Sequence, residues 1–109
     1  MGETLINTLH GQDGAVVVEV RGEVDLASAE RLRETLHDIA TRMRPTAITV
    51  DLLHVTFIDS TGIGALAAGH NAARSIGIEF VVRHPSEFVA RQLRSVGLYE
   101  ALTGSRPAE

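Results

Sequence analysis

The 109-residue chain has no cysteine. That excludes disulfide scaffolds, thiolate metal sites and thiol nucleophiles together. No apolar run approaches the roughly 20 residues needed to span a bilayer. The start, MGETLINTLHGQDG, has neither a basic segment nor an apolar one, so no secretory signal is visible. N-myristoylation does not fit it either, because Ile6 stands where that pattern wants Ser or Thr. Dense Lys/Arg runs are missing and the formal net charge is −4. This argues against nucleic acid, or an anionic membrane surface, as the main partner. Internal repeats, low-complexity tracts and interdomain linkers are also missing. These absences predict one soluble, cytoplasmic domain over residues 1–109, with no direct membrane insertion.

What is present builds a core. Hydrophobic residues make up 44% and charged residues 22%, proportions typical of a globular domain. TLINTLH alternates weakly and meets a polar, glycine-bounded turn, GQDG; the β-branched run AVVVEVRG follows, and the two read as a hairpin. Ala29, Leu32, Leu36, Ile39 and Met43 then recur by three or four, one face of a helix that Pro45 ends. AITVDL predicts a short strand covered on both faces. A second helical stretch carries Ile63, Leu66, His70 and Ala73 on one stripe, with Gly77 as its stop. IEFVV gives another strand. HPSEFVARQLRSVG gives a helix capped by Ser86, with Val89, Leu93 and Val96 on one face and Gly97 just past its end. LYEALT reads as a last short strand or half-turn of helix, and GSRPAE as a frayed tail, leaving an ordered core at about residues 4–102. Strands alternating with helices imply crossovers, hence an α/β fold with a small mixed, mostly parallel sheet of four to five strands and three or more helices.

The chemistry concentrates in FIDSTGIGAL, residues 57–66. Asp59, Ser60 and Thr61 stand where a strand-like segment turns into a helix, and any of them suits an N-cap. A cap explains one of these residues. Gly62 and Gly64 remain, each costing about 1 kcal/mol of helix stability relative to Ala. Gly64, Ala65, Ala68, Gly69 and Ala72 suggest a helix side stripped of bulk, where another chain can come close. Catalytic readings fit poorly. A nucleophile elbow is G-x-S-x-G, whereas this stretch is D-S-T-G-I-G. A nucleophilic Ser60 would need a held base, and His10, His37, His54, His70 and His84 show no companion pattern and no zinc spacing. A phosphate-cradling Walker loop would need a lysine here, and none is present. Ser60 as the acceptor of a group is a third reading. A phosphate on it would meet the positive end of a helix, while Asp59, with Asp25 and Asp51 expected at neighbouring strand ends, would oppose the added charge.

RGEVDLASAERL, ITVDLLHVTFIDSTGIGAL and HPSEFVARQLRSVGLYEAL together resemble the anti-sigma factor antagonist family of STAS domains, over nearly the whole chain. The D-S-[ST]-G core is the most specific element, and GEVD, with Gly22 and Asp25, comes second. The resemblance implies a non-enzymatic binding switch with no cofactor and no metal. Ser60 is the implied phosphoacceptor for an anti-sigma factor that is also a serine kinase, and a PP2C-type, metal-dependent phosphatase reverses the step. It implies a partner-binding surface of Asp25, Asp59, Ser60, Thr61, Gly62, Gly64 and Ala65, with Thr61 the lesser acceptor. STAS domains also serve as constitutive scaffolds or regulatory subunits in stress-signalling assemblies, anion transporters and lipid-transport ATPases. Leu53 and His54 stand where polar or small residues are more usual in the family, beside the motif.

Overall fold

A computed structural model of the chain describes residues 3–11 and 13–104. Met1, Gly2, Gln12 and residues 105–109 lie outside the described residues, and with them one residue of the GQDG turn and all but Gly104 of the segment read as a tail. The strands are β1 (Leu5–His10), β2 (Val16–Val24), β3 (Ala47–Ile58) and β4 (Glu79–Arg83). The helices are α1 (Leu26–Asp38), α2 (Ser60–Ser75), α3 (Glu87–Ser95) and α4 (Tyr99–Thr103). LYEALT is therefore helical. The sheet order is β1-β2-β3-β4; β1 runs antiparallel to β2, and β2, β3 and β4 are mutually parallel. This is the expected small mixed, mostly parallel sheet.

The β-branched runs supply one apolar face. Val16, Val18 and Val20 of β2, Ile48, Val50 and Leu52 of β3, and Phe80 and Val82 of β4 are all buried. Leu32 and Leu36 of α1 and Leu66 of α2 complete the same core. Each fully buried Leu contributes about 1.5–3 kcal/mol of transfer free energy. The residues between them, Val17, Glu19, Thr49, Asp51 and Val81, are only half buried. AITVDL is thus well covered on one face and partly open on the other, which corrects the expectation of a strand covered on both.

Two helix-face expectations also change. Ala29, Leu32, Leu36 and Ile39 are buried, but Met43 is 43% exposed. After Asp38 the helix widens into a π-helical turn, Ile39–Met43, closed by a bond from the Arg44 N–H to the Ile39 carbonyl. The wider turn shifts the phase of the stripe, so Ala40 packs inward and Met43 swings out. Ser86 caps α3, its Oγ accepting from the Val89 N–H at 3.1 Å. Val89 and Leu93 are buried, whereas Val96 lies past the helix end and is exposed.

β3 runs six residues beyond the expected end at Leu52, because its alternation is broken rather than finished. In the parallel pairing, Glu19 and Arg21 face Asp51 and His54, and Gly22 and Glu23 face Val55 and Phe57. Each step inserts one extra residue into β3, a β-bulge that resets which side chains point inward. Leu53, His54, Thr56 and Phe57 are exposed, while Val55 and Ile58 return to the core. Gly22 lies beside these bulges at φ +96°, and a Cβ there would collide with the Glu3 carbonyl oxygen. Backbone approach and conformation both restrict this position to glycine.

Candidate functional site

The site forms where two parallel strands end side by side. Val24 of β2 pairs with Ile58 of β3, and the next residues, Asp25 and Asp59, cap α1 and α2. The Asp59 N–H donates to the Val24 carbonyl at 3.1 Å and locks the two strand ends together. Both caps have extended backbone, the conformation an N-cap needs.

At α2 the capping oxygen belongs to Asp59. Its Oδ1 accepts from the Gly62 N–H at 3.0 Å and from the Thr61 hydroxyl. These bonds, the Thr61 hydroxyl first, hold the Asp59 carboxyl below its ordinary pKa despite an opposing contribution from burial. Ser60 is therefore the first helical residue rather than the cap. Its side chain is exposed, and among the described residues its hydroxyl has no hydrogen-bond partner. Of the three readings of Ser60, the cap is the one this geometry removes.

The glycines divide. A Cβ on Gly62 would lie 2.7 Å from both Ile58 and Val24 side-chain carbons, so Gly62 lets the first turn of α2 settle onto the strand ends. A Cβ on Gly69 would meet Leu36 of α1 at 2.7 Å, which explains the close contact of the two helices. At Gly64 a Cβ would meet nothing within 4 Å. The small-residue side expected to be exposed is thus split: Gly64 faces outward, Ala68 and Ala72 are partly covered, and Ala65 and Gly69 are buried. Ala65 is 3% exposed and offers no surface to a partner. It belongs to the buried core instead.

Asp25 lies at the site as expected, but Asp51 does not. Because β3 continues to Ile58, Asp51 sits mid-strand, with its Oδ1 accepting from the Leu53 N–H at 3.0 Å and 3.2 Å from His84 Nδ1. His70 packs edge-on against Phe80 with centroids 5.6 Å apart, and burial, reinforced by the Arg74 charge, lowers its pKa. Among the described residues no three His, Asp or Glu side chains gather as a metal site. Two apolar side chains flank the site without belonging to either helical stripe. Leu26, the first residue of α1, is 74% exposed; Phe57 stacks on Phe88 at 5.5 Å. Leu26 directly after a capping Asp was the available signal.

A mixed four-stranded sheet whose parallel strands end in paired, Asp-capped helix starts defines a narrow class of small α/β domain. The family model for the STAS domain matches residues 8–106. The chain belongs to the STAS domain family. RsfB of Mycobacterium tuberculosis, an anti-sigma-F factor antagonist, is 29% identical over 116 residues, covering 95% of this chain and 92% of that protein. The crystal structure of an anti-sigma factor antagonist from Mycobacterium paratuberculosis superposes with a TM-score of 0.71 at 28% identity, over 99% of this chain and 87% of that one. The unphosphorylated anti-sigma factor antagonist SpoIIAA gives a TM-score of 0.80 at 19% identity, over 96% of this chain and 90% of that one. At that identity the likeness is one of fold.

Proposed function

We propose that this chain is an anti-sigma factor antagonist that works as a phosphorylation-controlled binding switch, without enzymatic activity of its own. The unphosphorylated form binds an anti-sigma factor that is also a serine kinase, and so releases a sigma factor. Phosphorylation of Ser60 ends the binding, and a PP2C-type phosphatase restores it. Such a cycle belongs in the cytoplasm, and among the described residues no helix is long and apolar enough to cross a membrane.

The observation that carries this reading is the state of Ser60. Its hydroxyl points outward at a helix start whose cap is already supplied by Asp59, so it is free to be modified without unfolding the turn. Thr61 is engaged with Asp59 and is the poorer acceptor. A phosphate would add about −1.5 to −2 charge at neutral pH. The helix end accommodates that charge, but Asp59 and Asp25 already make this rim acidic. A partner suited to the unmodified rim would find a phosphorylated one changed in both charge and bulk.

The test is intact mass after incubation with ATP and candidate anti-sigma kinases, wild type beside Ser60→Ala. One added phosphate on wild type and none on the variant is the expected result. Tight binding to a kinase without phosphate transfer, or binding that survives complete phosphorylation, would overturn the switch.

A further inference from the structure

The sheet's β1 edge carries a pattern the switch does not use. β1, Leu5–His10, pairs with β2 on one side, and among the described residues no strand lies on the other. Natural edge strands are usually blunted by lysine, proline, a bulge or an inward charge, because an open row of N–H and C=O groups recruits another strand. β1 has none of these: LINTLH contains no Lys, Arg, Asp, Glu or Pro, and its pairing to β2 runs unbroken. Its register places Ile6 opposite Val20 and Thr8 opposite Val18, on the core face. Leu5, Asn7 and Leu9 fall on the open face, where Leu5 is 57% and Leu9 44% exposed.

We infer that this edge associates with the same edge of a second copy, through antiparallel β1–β1 pairing centred on Asn7. Symmetry selects the register. A twofold axis that makes two edge strands antiparallel stands perpendicular to the sheet, so both copies keep their helices on one side. Core-facing residues must then oppose core-facing residues. Of the registers this permits, the one centred on Asn7 sets Leu5 against Leu9 of the second copy, and Leu9 against its Leu5. Ile6 meets Thr8, and Asn7 meets Asn7. The sequence Leu-x-Asn-x-Leu is its own complement about that axis. No like charges are brought together, since Glu3 falls opposite Gly11 and Thr4 opposite His10. Shifting by two residues in total places each leucine opposite a polar residue or beyond the partner strand. Arg31 reaches the Thr4 carbonyl, which lies at one end of this contact. The pairing joins two four-stranded sheets into one of eight strands.

A contact of one short strand per copy buries less than about 1,000 Å² and makes a weak, concentration-dependent dimer. The inference does not depend on the function of Ser60, which lies at the strand ends rather than at this edge.

The cysteine-free chain gives a clean test. Directly opposed residues of an antiparallel pair lie about 4.5–5.5 Å apart between Cα atoms, within disulfide reach. Full-length Asn7→Cys, mildly oxidised, should form a covalent dimer at least ~10-fold faster than Ser95→Cys on the exposed end of α3, because only Asn7 faces its own copy. An equimolar mixture of Leu5→Cys and Leu9→Cys should cross-link to each other in preference to themselves. Adding Leu9→Lys to Asn7→Cys should remove the rate advantage. Sedimentation equilibrium of the wild type should show dimer appearing as concentration rises towards ~1 mM, the range for a contact this small. Equal cross-linking at residues 7 and 95, indifference to Leu9→Lys, or a wild type monomeric throughout that range would each overturn the inference.

Discussion

The chain builds the same strand–Asp–helix junction twice, at residues 24–28 and 58–62, and finishes the two differently. At α1 the Asp25 carboxylate accepts from the Ala27 N–H at 3.1 Å, and Ser28 reaches back so that its Oγ accepts from the Asp25 N–H at 3.1 Å. The box is closed from both sides, and Ser28 is 5% exposed. At α2 the corresponding third position is Gly62, which has no side chain to reach back. None is needed, because the Asp59 N–H is already bound by the Val24 carbonyl. The space a side chain would take is filled by Val24 and Ile58. The first helical position differs as well: an exposed leucine at α1, an exposed and unbonded serine at α2. One junction is completed by its own side chains. The other is completed by the neighbouring strand, which leaves its serine hydroxyl available.

Exchanging the finishing residues tests this contrast. Gly62→Ser would write the α1 box into α2, yet the added atoms meet Val24 and Ile58 at 2.7 Å. A loss of about 1–3 kcal/mol is expected from overpacking, read as a lower urea midpoint at unchanged slope. A neutral or stabilised variant would show that the site can accept a box. Ser28→Ala, at the other junction, strands the Asp25 N–H and removes a nearly buried hydroxyl. It should cost about 1–2 kcal/mol in the same assay.

Next in size is a pH effect. Asp59 is held below its ordinary pKa mainly by the Thr61 hydroxyl. Its contribution to stability is therefore present above the unfolded-state value and is lost as pH falls through the folded one. Thr61→Val should raise the folded pKa towards the unfolded value, seen by NMR titration of the carboxyl, and shrink the acid-side loss of stability that Asp59 causes. His70 acts in the same sense. Its lowered pKa favours the neutral imidazole in the folded chain, so its contribution is full above the unfolded histidine value and declines as pH drops below it. The smallest effect belongs to Ser60→Ala. With the cap supplied by Asp59 and the hydroxyl unbonded, unfolding free energy should move by no more than about 0.5 kcal/mol. A loss of 1 kcal/mol or more, the usual cost of removing a cap, would return Ser60 to a capping role.

Much of this was legible in the residues. Strand and helix periods gave the α/β class and the mixed sheet, because β-branched runs and three-to-four spacings report local geometry directly. Ser86 was a legible cap, since capping depends on residues two or three apart. Sequence reading failed where one element corrects another. Met43 leaves its stripe because a π turn changes the helical phase, and Asp51 lies mid-strand rather than at a strand end because two bulges extend β3. Ala65 and Gly69 looked like an outward, small-residue side. Both are instead buried, and at Gly69 the missing side chain is what lets α2 lie against Leu36 and Phe80. Periodicity says that small residues share a side, but not whether that side meets solvent or a neighbouring helix.

By itself the sequence determined the secondary-structure periods, a strand-to-helix turn at residues 59–61 and the presence of a hydroxyl pair there. These follow from backbone preferences and capping chemistry within a few residues. Which hydroxyl is free was decided by the tertiary structure. Only the pairing of Val24 with Ile58 gives the Asp59 N–H a partner, leaves Gly62 no room for a side chain, and turns Ser60 outward. That outcome depends on residues more than thirty positions apart, brought together by the parallel register of β2 and β3.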